Sequence, residues 1–244
     1  ILEGTRKPLR VWFQAMWYIT SQKFGGNALG LKRVVGFGSY QTAWAWLHKM
    51  RRAMVRPGRD LLGGRVEVDE IYVGGVEAGV SGRQTEKKAI VAAAVEVLVP
   101  KGCGRLRLRQ IPDVSAESLV GFVTAVVKPG SVVLTDGWSG YDPLPTCFTR
   151  EKTRLCASAD PAHVALPGVH RVAALLKRWL LGTYQGSVGF EHFGYYLDEY
   201  TFRFNRRASR SRGLLFYRLL QQAVHAAPVP YRQIVCRHQR PAEA

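Results

Sequence analysis

Residues 66–75 read "VEVDEIYVGG". Val, Ile and Tyr are strand formers, and the closing glycine pair marks a turn, so the stretch predicts a β-strand. Side chains alternate along a strand, which puts Glu67, Asp69, Ile71 and Val73 on one face and Val66, Val68, Glu70 and Tyr72 on the other. Three carboxylates thus lie on one strand of a chain whose formal net charge is +17. Asp69 and Glu70 point to opposite faces and cannot hold one ion together. One of them needs a partner from elsewhere in the chain.

Working outward, "RVEVDEIYV", "KKAIVAAAVEVLV" and "GRLRLRQIP" predict successive strands. The helix "SAESLVGFVTAVV" follows, with Ser115 placed to cap it and Glu117 in its first turn. "SVVLTDGW" (131–138) is a further apolar strand, and a strand that follows a helix usually runs parallel within the sheet. Asp136 closes that strand and Gly137 lets the chain turn away. A carboxylate at the C-terminal end of a strand, at the mouth of an α/β sheet, stands where such folds place chemistry. Asp69 and Asp136, on strands able to be neighbours, suit a divalent metal, because like charges held close repel unless a cation lies between them. The alternatives for these acids, and for Glu67 and Glu70, are a buried ion pair with an arginine or a surface acid at a turn. "PGVHRVAALLKRWLLGTY" (167–184) predicts a helix opened by proline.

The 35 Lys and Arg are unevenly spread against 18 Asp and Glu. No acid occurs between Arg6 and Arg59, and after Glu199 the only one is Glu243. Such basic ends mark a polyanionic partner. Before residue 56, apolar residues at helical spacing predict a helix over 9–22, a short helix "NALGLKRVVG", the turn "GFGS" and a helix "YQTAWAWLHKMRRAM" capped by Ser39. That is the helix-turn-helix outline, in which Tyr40, Gln41 and Thr42 meet base edges; an ordinary three-helix packing module is the alternative. "RPGRDLLGG" (56–64) reads as a linker. The longest apolar run, "AIVAAAV", is stopped by Glu96, too short for a membrane span. The start at Ile1 suggests a piece of a longer cytoplasmic protein. Cys103, Cys147, Cys156 and Cys236 form no C-x-x-C pair, so free thiols are expected; Cys147, Cys156 and His163 are a minor metal alternative.

Taken together, "VEVDEIYVGG", "GRQTEKKAIV", "VLTDGWSGY", "LLKRWLLGTYQGSV" and "YYLDEYTFRFNRR" resemble the DDE-type transposases of bacterial insertion sequences, in the ISXO-type branch. The resemblance implies an RNase H-like mixed sheet with flanking helices, preceded by a small all-helical helix-turn-helix domain. The expected division is 1–55 helix-turn-helix, 56–64 linker, 65–220 catalytic domain and 221–244 basic tail. It further implies metal-dependent DNA cleavage and strand transfer, with Asp69 and Asp136 as the first two ligands of a site for two divalent ions, Mg²⁺ or Mn²⁺. Where the family's last helix carries Asn and Glu, this chain has Pro167 and His170, and Lys177 falls on the family's Lys. No acid lies between Pro161 and Phe190, so the chain resembles a DDH variant with His170 as third ligand and Asp160 in reserve. Lys177 and Arg178, Arg83, Lys87 and Lys88, and Arg203, Arg206 and Arg207 are expected to hold DNA backbones. The implied partners are double-stranded DNA, both the element's terminal inverted repeats and its target, and further copies of the chain on that DNA. The implied location is the bacterial cytoplasm, at the nucleoid. A catalytically inactive, transposase-derived DNA-binding protein is the alternative, and an RNase H-like nuclease acting on RNA or DNA junctions is a third.

Overall fold

The structure is a computed structural model that describes residues 1–56, 58–75, 85, 87–100, 102–153, 166–186 and 188–235. The chain divides into two compact units, one of Asp60–Arg178 and the other of Ile1–Arg59 with Trp179–Ala244.

In the Asp60–Arg178 unit, β1 (Arg65–Val73), β2 (Ala89–Val97), β3 (Cys103–Ile111), β4 (Val132–Asp136) and β5 (Thr149–Thr153) form one sheet in the order β3-β2-β1-β4-β5. β1 and β2 pair antiparallel, as do β2 and β3, whereas β1 with β4 and β4 with β5 are parallel. This is the expected RNase H-like mixed sheet flanked by helices. α4 (Ala116–Val126) returns the chain from β3 to β4, and Ser115 caps it through the Ser118 N–H. The α4 face of the sheet buries Val66, Val68, Ala92, Ala94 and Val133 against Leu119, Phe122 and Val123. β5, inconspicuous in the sequence because it is polar, was not anticipated.

The expected linker is only partly one. Leu62 is fully buried and pairs with Val127, with its N–H on the Val126 carbonyl at 2.8 Å and its own carbonyl taking the Lys128 N–H at 2.7 Å. Glu96 accepts from the Gly63 N–H at 3.0 Å, and Arg105 joins Glu96 to the Leu61 carbonyl. Residues 60–64 are thereby built into this unit, because their backbone groups find partners at its edge.

The other unit contains α1 (Leu9–Ser21), α2 (Ala28–Val35), α3 (Tyr40–Ala53), α6 (Phe193–Phe204), α7 (Arg212–His225) and α8 (Tyr231–Val235), together with the last turns of α5 (Pro167–Tyr184). Asn27 and Ser39 cap α2 and α3, and Gly36 ends α2 in the left-handed conformation. Trp12 stacks on Trp46 with ring centroids 3.6 Å apart, and Phe202, Leu219 and Ala223 join the same core. The C-terminal helices therefore pack with the N-terminal ones in this unit, and α7 and α8 run into the expected tail.

A buried polar network holds this unit. Arg51 donates to Glu199 at 2.9 Å and to the Tyr184 hydroxyl at 3.0 Å; Arg203 donates to the other Glu199 oxygen at 2.9 Å. Burial, with Glu199 beside it, keeps the Tyr184 hydroxyl well above its usual pKa, so it stays a neutral donor. Among the described residues, no helix is long and apolar enough to cross a membrane.

Glu199→Ala orphans a guanidinium that is 1 % exposed. It should cost about 3–5 kcal/mol, read as an earlier denaturant midpoint by tryptophan fluorescence. Five of the six tryptophans belong to this unit. Glu96 is different: burial opposes its charge, yet Arg105 and the Gly63 N–H hold its carboxyl below the usual range. Its contribution is present above the carboxyl's ordinary pKa and lost as pH falls through the depressed one, so Glu96→Gln should flatten the acid limb of the stability curve in urea titrations at several pH values.

Candidate active site

β1 uses both of its faces. Val66, Val68 and Glu70 turn toward α4, while Glu67 and Asp69 turn toward the start of α5, where Glu67 Oε2 accepts from the Val169 N–H at 2.9 Å. The last paired residues of β1 and β4 are Glu67 and Leu134. Two residues further along each strand come Asp69 and Asp136. Residues level with one another on parallel strands project from the same face, so both carboxylates leave the sheet on the α5 side, where pairing between the strands has ended.

His170, in the first turns of α5, places Nε2 3.8 Å from Asp69 Oδ2. Asp69 is largely covered and the His170 ring about one-third exposed, with side-chain exposures of 16 % and 34 %. Octahedral ligands at about 2.0–2.1 Å from Mg²⁺ sit roughly 3 Å from one another, so this pair lies within a small rotation of sharing an ion. Asp136 is turned otherwise, its Oδ1 accepting from the Trp138 N–H at 3.0 Å. Among the described residues no three His, Cys, Asp or Glu side chains are grouped to hold a metal. The donors fit a divalent cation in kind, two carboxylates and an imidazole. Asp69 and His170 fit in place; Asp136 stands level with them and its carboxylate is engaged by its own turn.

Arg150 and Tyr141, which sequence reasoning did not single out, shape this site together with Glu67 and Glu70. Arg150, on β5, donates to Thr135 Oγ1 at 2.9 Å and to the carbonyls of Asp136 at 3.3 Å and Trp138 at 2.9 Å, and pairs with Asp142 at 2.5 Å. Its guanidinium thus clamps the turn that carries Asp136. On the opposite face the Tyr141 hydroxyl donates to Glu70 at 2.6 Å. Burial first, and the Glu70 charge second, push that hydroxyl far up in pKa, so it remains a donor. Glu70 is therefore a buried, hydrogen-bonded acid, as the alternation of the strand requires. Burial also raises the Glu67 carboxyl, although backbone N–H groups of Val169 and Gly168 work against the shift. The only signal in the sequence for Glu67 was the absence of any acid in the first turn of α5.

The expected DNA contacts divide into two groups. Lys87, Lys177, Arg178, Tyr40 and Gln41 are exposed, while Lys88 and Thr42 are half-buried and Thr42 bonds to Ser39. Arg203 is committed to Glu199 and to the carbonyls of Gln22 and Ile19, which close the C-terminal end of α1. Arg206 stacks on Phe202 and donates to its carbonyl, and Arg207 does the same with Phe204. Arg83, Asp160, Cys156, His163 and Cys236 lie outside the described residues. Cys103 is half-buried and Cys147 exposed, and neither forms a disulfide among the described residues.

The sequence signature of the ISXO2-like transposase domain matches residues 61–205. The chain belongs to this family. No curated protein matches it. Membership makes the chain an insertion-sequence transposase with a DDE-type domain, and transposases of this kind are polynucleotidyl transferases that act on DNA and generally use divalent metals. The match to the ISXO2-like domain begins within the strap at residues 60–64 and covers β1 to β5, α5 and α6.

Arg150→Ala should free the turn around Asp136. In this transposase the Mn²⁺ concentration for half-saturation should then rise about 10–100-fold, the scale of losing a group that orients a metal ligand. Arg150→Lys, which lacks the planar fork, should recover only part of it. Calorimetric Mn²⁺ titration checks both.

Proposed function

We propose that the chain catalyses metal-dependent cleavage and strand transfer at the ends of an insertion sequence, with Asp69, Asp136 and His170 around the reacting phosphodiester. The observation that carries this reading is the imidazole of His170 3.8 Å from Asp69 in the middle of β1, just beyond its pairing with β4 and level with Asp136 on that adjacent parallel strand. A bound Mg²⁺ or Mn²⁺, or a pair of such ions, would promote deprotonation of the attacking hydroxyl and neutralise charge on the phosphate.

The side chains set the terms. Two carboxylates converging from neighbouring strands repel, and the site is relieved by cations. Imidazole in place of a third carboxylate removes one negative charge and favours borderline metals such as Mn²⁺ over Mg²⁺. In the first step water attacks the phosphodiester in line, and the bond to the 3′-oxygen breaks to leave a free 3′-hydroxyl. In the second that hydroxyl attacks a target phosphodiester, one P–O bond replacing another without a covalent enzyme intermediate. Lys177 stands seven residues beyond His170, about 10 Å along the helix, a reach suited with Arg178 to a neighbouring phosphate. Lys87 and Lys88, with Arg83, would serve other phosphates, and Tyr40, Gln41 and Thr42 at the start of α3 would meet base edges in a helix-turn-helix. Arg203, Arg206 and Arg207 would contribute mainly through the field of the basic ends. The substrates are the terminal repeats and the target duplex, engaged by several copies of the chain in the bacterial cytoplasm at the nucleoid.

A second reading, a catalytically inactive DNA-binding descendant, draws support from the lack of a grouped three-donor set among the described residues. A cleavage assay on a DNA end with Mn²⁺ or Mg²⁺ separates the two. Asp136→Asn should lower nicking by about 10²–10³-fold or more, the scale of losing transition-state charge stabilisation, while DNA binding persists and weakens steeply with salt. Equal background in wild type and variant would leave only the binding protein. His170→Glu should shift metal preference toward Mg²⁺; an unchanged preference removes His170 from the site.

A further inference from the structure

α5 follows Leu166, whose side chain carries no acceptor to cap it. Pro167 has no N–H, the helix has no acid in its first turn, and the next two backbone donors, Gly168 and Val169, need acceptors. Glu67 answers them from the sheet. Its carboxylate accepts from the Val169 N–H at 2.9 Å and is stabilised by the Gly168 N–H beside it, and the residue is 4 % exposed. The contact is close: a Cβ at position 168 would stand 2.8 Å from Glu67 Oε2 and 3.3 Å from Cys103 Sγ. Any larger residue there would push the Glu67 carboxylate out of its place.

The same strand and the same helix carry two of the candidate ligands. Asp69 follows Glu67 by two residues on one face of β1, roughly 6.6 Å further along, and His170 follows Val169 directly. A short closed circuit results: β1 grips the end of α5 through Glu67, and at the next residue the helix brings His170 Nε2 to 3.8 Å from Asp69 Oδ2.

We propose that Glu67 is a positioning residue, which docks the N-terminus of α5 on β1 and so holds the His170 imidazole over Asp69. The inference rests on the reading of Asp69 and His170 as ligands of one cation. A carboxylate is needed because two converging N–H groups call for acceptors only. An amide keeps the shape but turns one acceptor into a donor, and it weakens the attraction for the positive end of the helix.

The test follows the His170 ring proton by NMR during Mn²⁺ titration of the intact chain, with the His170→Gln spectrum assigning the peak among the six histidines. In wild type the His170 signal should broaden first. In Glu67→Gln and in Gly168→Ala, each shown to be folded by circular dichroism, half-broadening should need about 10–100-fold more Mn²⁺. Glu67→Ala opens the space that an alanine at 168 requires, so Glu67→Ala with Gly168→Ala should be no worse than Glu67→Ala alone. Selective broadening in wild type with an unchanged requirement in both single variants would overturn the positioning role while leaving the ligand reading intact. Additive losses in the double variant would likewise overturn it, since the two residues would not be acting through one contact. If the wild-type His170 signal broadens no earlier than the other histidines, the ligand reading fails and takes the proposal with it.

Discussion

β1 is paired antiparallel with β2 on one side and parallel with β4 on the other, and this double pairing governs the candidate site. Parallel pairing sets Asp69, in the middle of β1, level with Asp136 at the end of β4, so both acids open onto one side of the sheet. Strand alternation then assigns each acid of the "VEVDE" run its own environment. Glu70 is sealed beneath Tyr141, Glu67 is buried against the end of α5, and Asp69 is left toward the opening. Three acids close in sequence acquire three chemistries because the backbone period is two.

Charge is used in two ways. Cations such as Lys177 and Arg178 are exposed, and at a net charge of +17 they stand in a strongly positive field. Many arginines, however, are structural. Arg51 and Arg203 share Glu199, Arg150 clamps the backbone at Asp136, and Arg105 secures residues 60–64. Guanidinium suits these places because one planar group can satisfy several carbonyls at once. In the helical unit this closes the end of α1, whose own last turn has no basic residue.

Much of the fold was legible from local pattern. The bounds of α2, α3 and α5 follow Asn27, Ser39 and Pro167, and β1, β2 and β4 follow their β-branched runs. β5 was not legible, because "TREKT" has the composition of a surface loop and is a strand only by pairing with β4. The association of α6 and α7 with the N-terminal helices was also hidden, since it depends on residues such as Phe202 and Leu219 meeting Trp12 and Met50 from far along the chain. Among arginines the sequence shows charge but not direction, which is why Arg203, Arg206 and Arg207 read as DNA contacts although their guanidinium groups face carbonyls and rings of their own chain.

By itself the sequence determined the mixed α/β class, the family, the placement of Asp69 within a strand and of Asp136 at the end of another, and the substitution of His170 in a helix without acids. These are properties of residue type and spacing, which short-range backbone geometry translates directly. Tertiary structure decided which groups meet: that Asp136 is level with Asp69, that His170 reaches Asp69, that Glu67 holds the helix and Arg150 the turn. Such contacts join residues remote in sequence, and their distances are set by sheet register and helix docking, which arise only when the whole core packs.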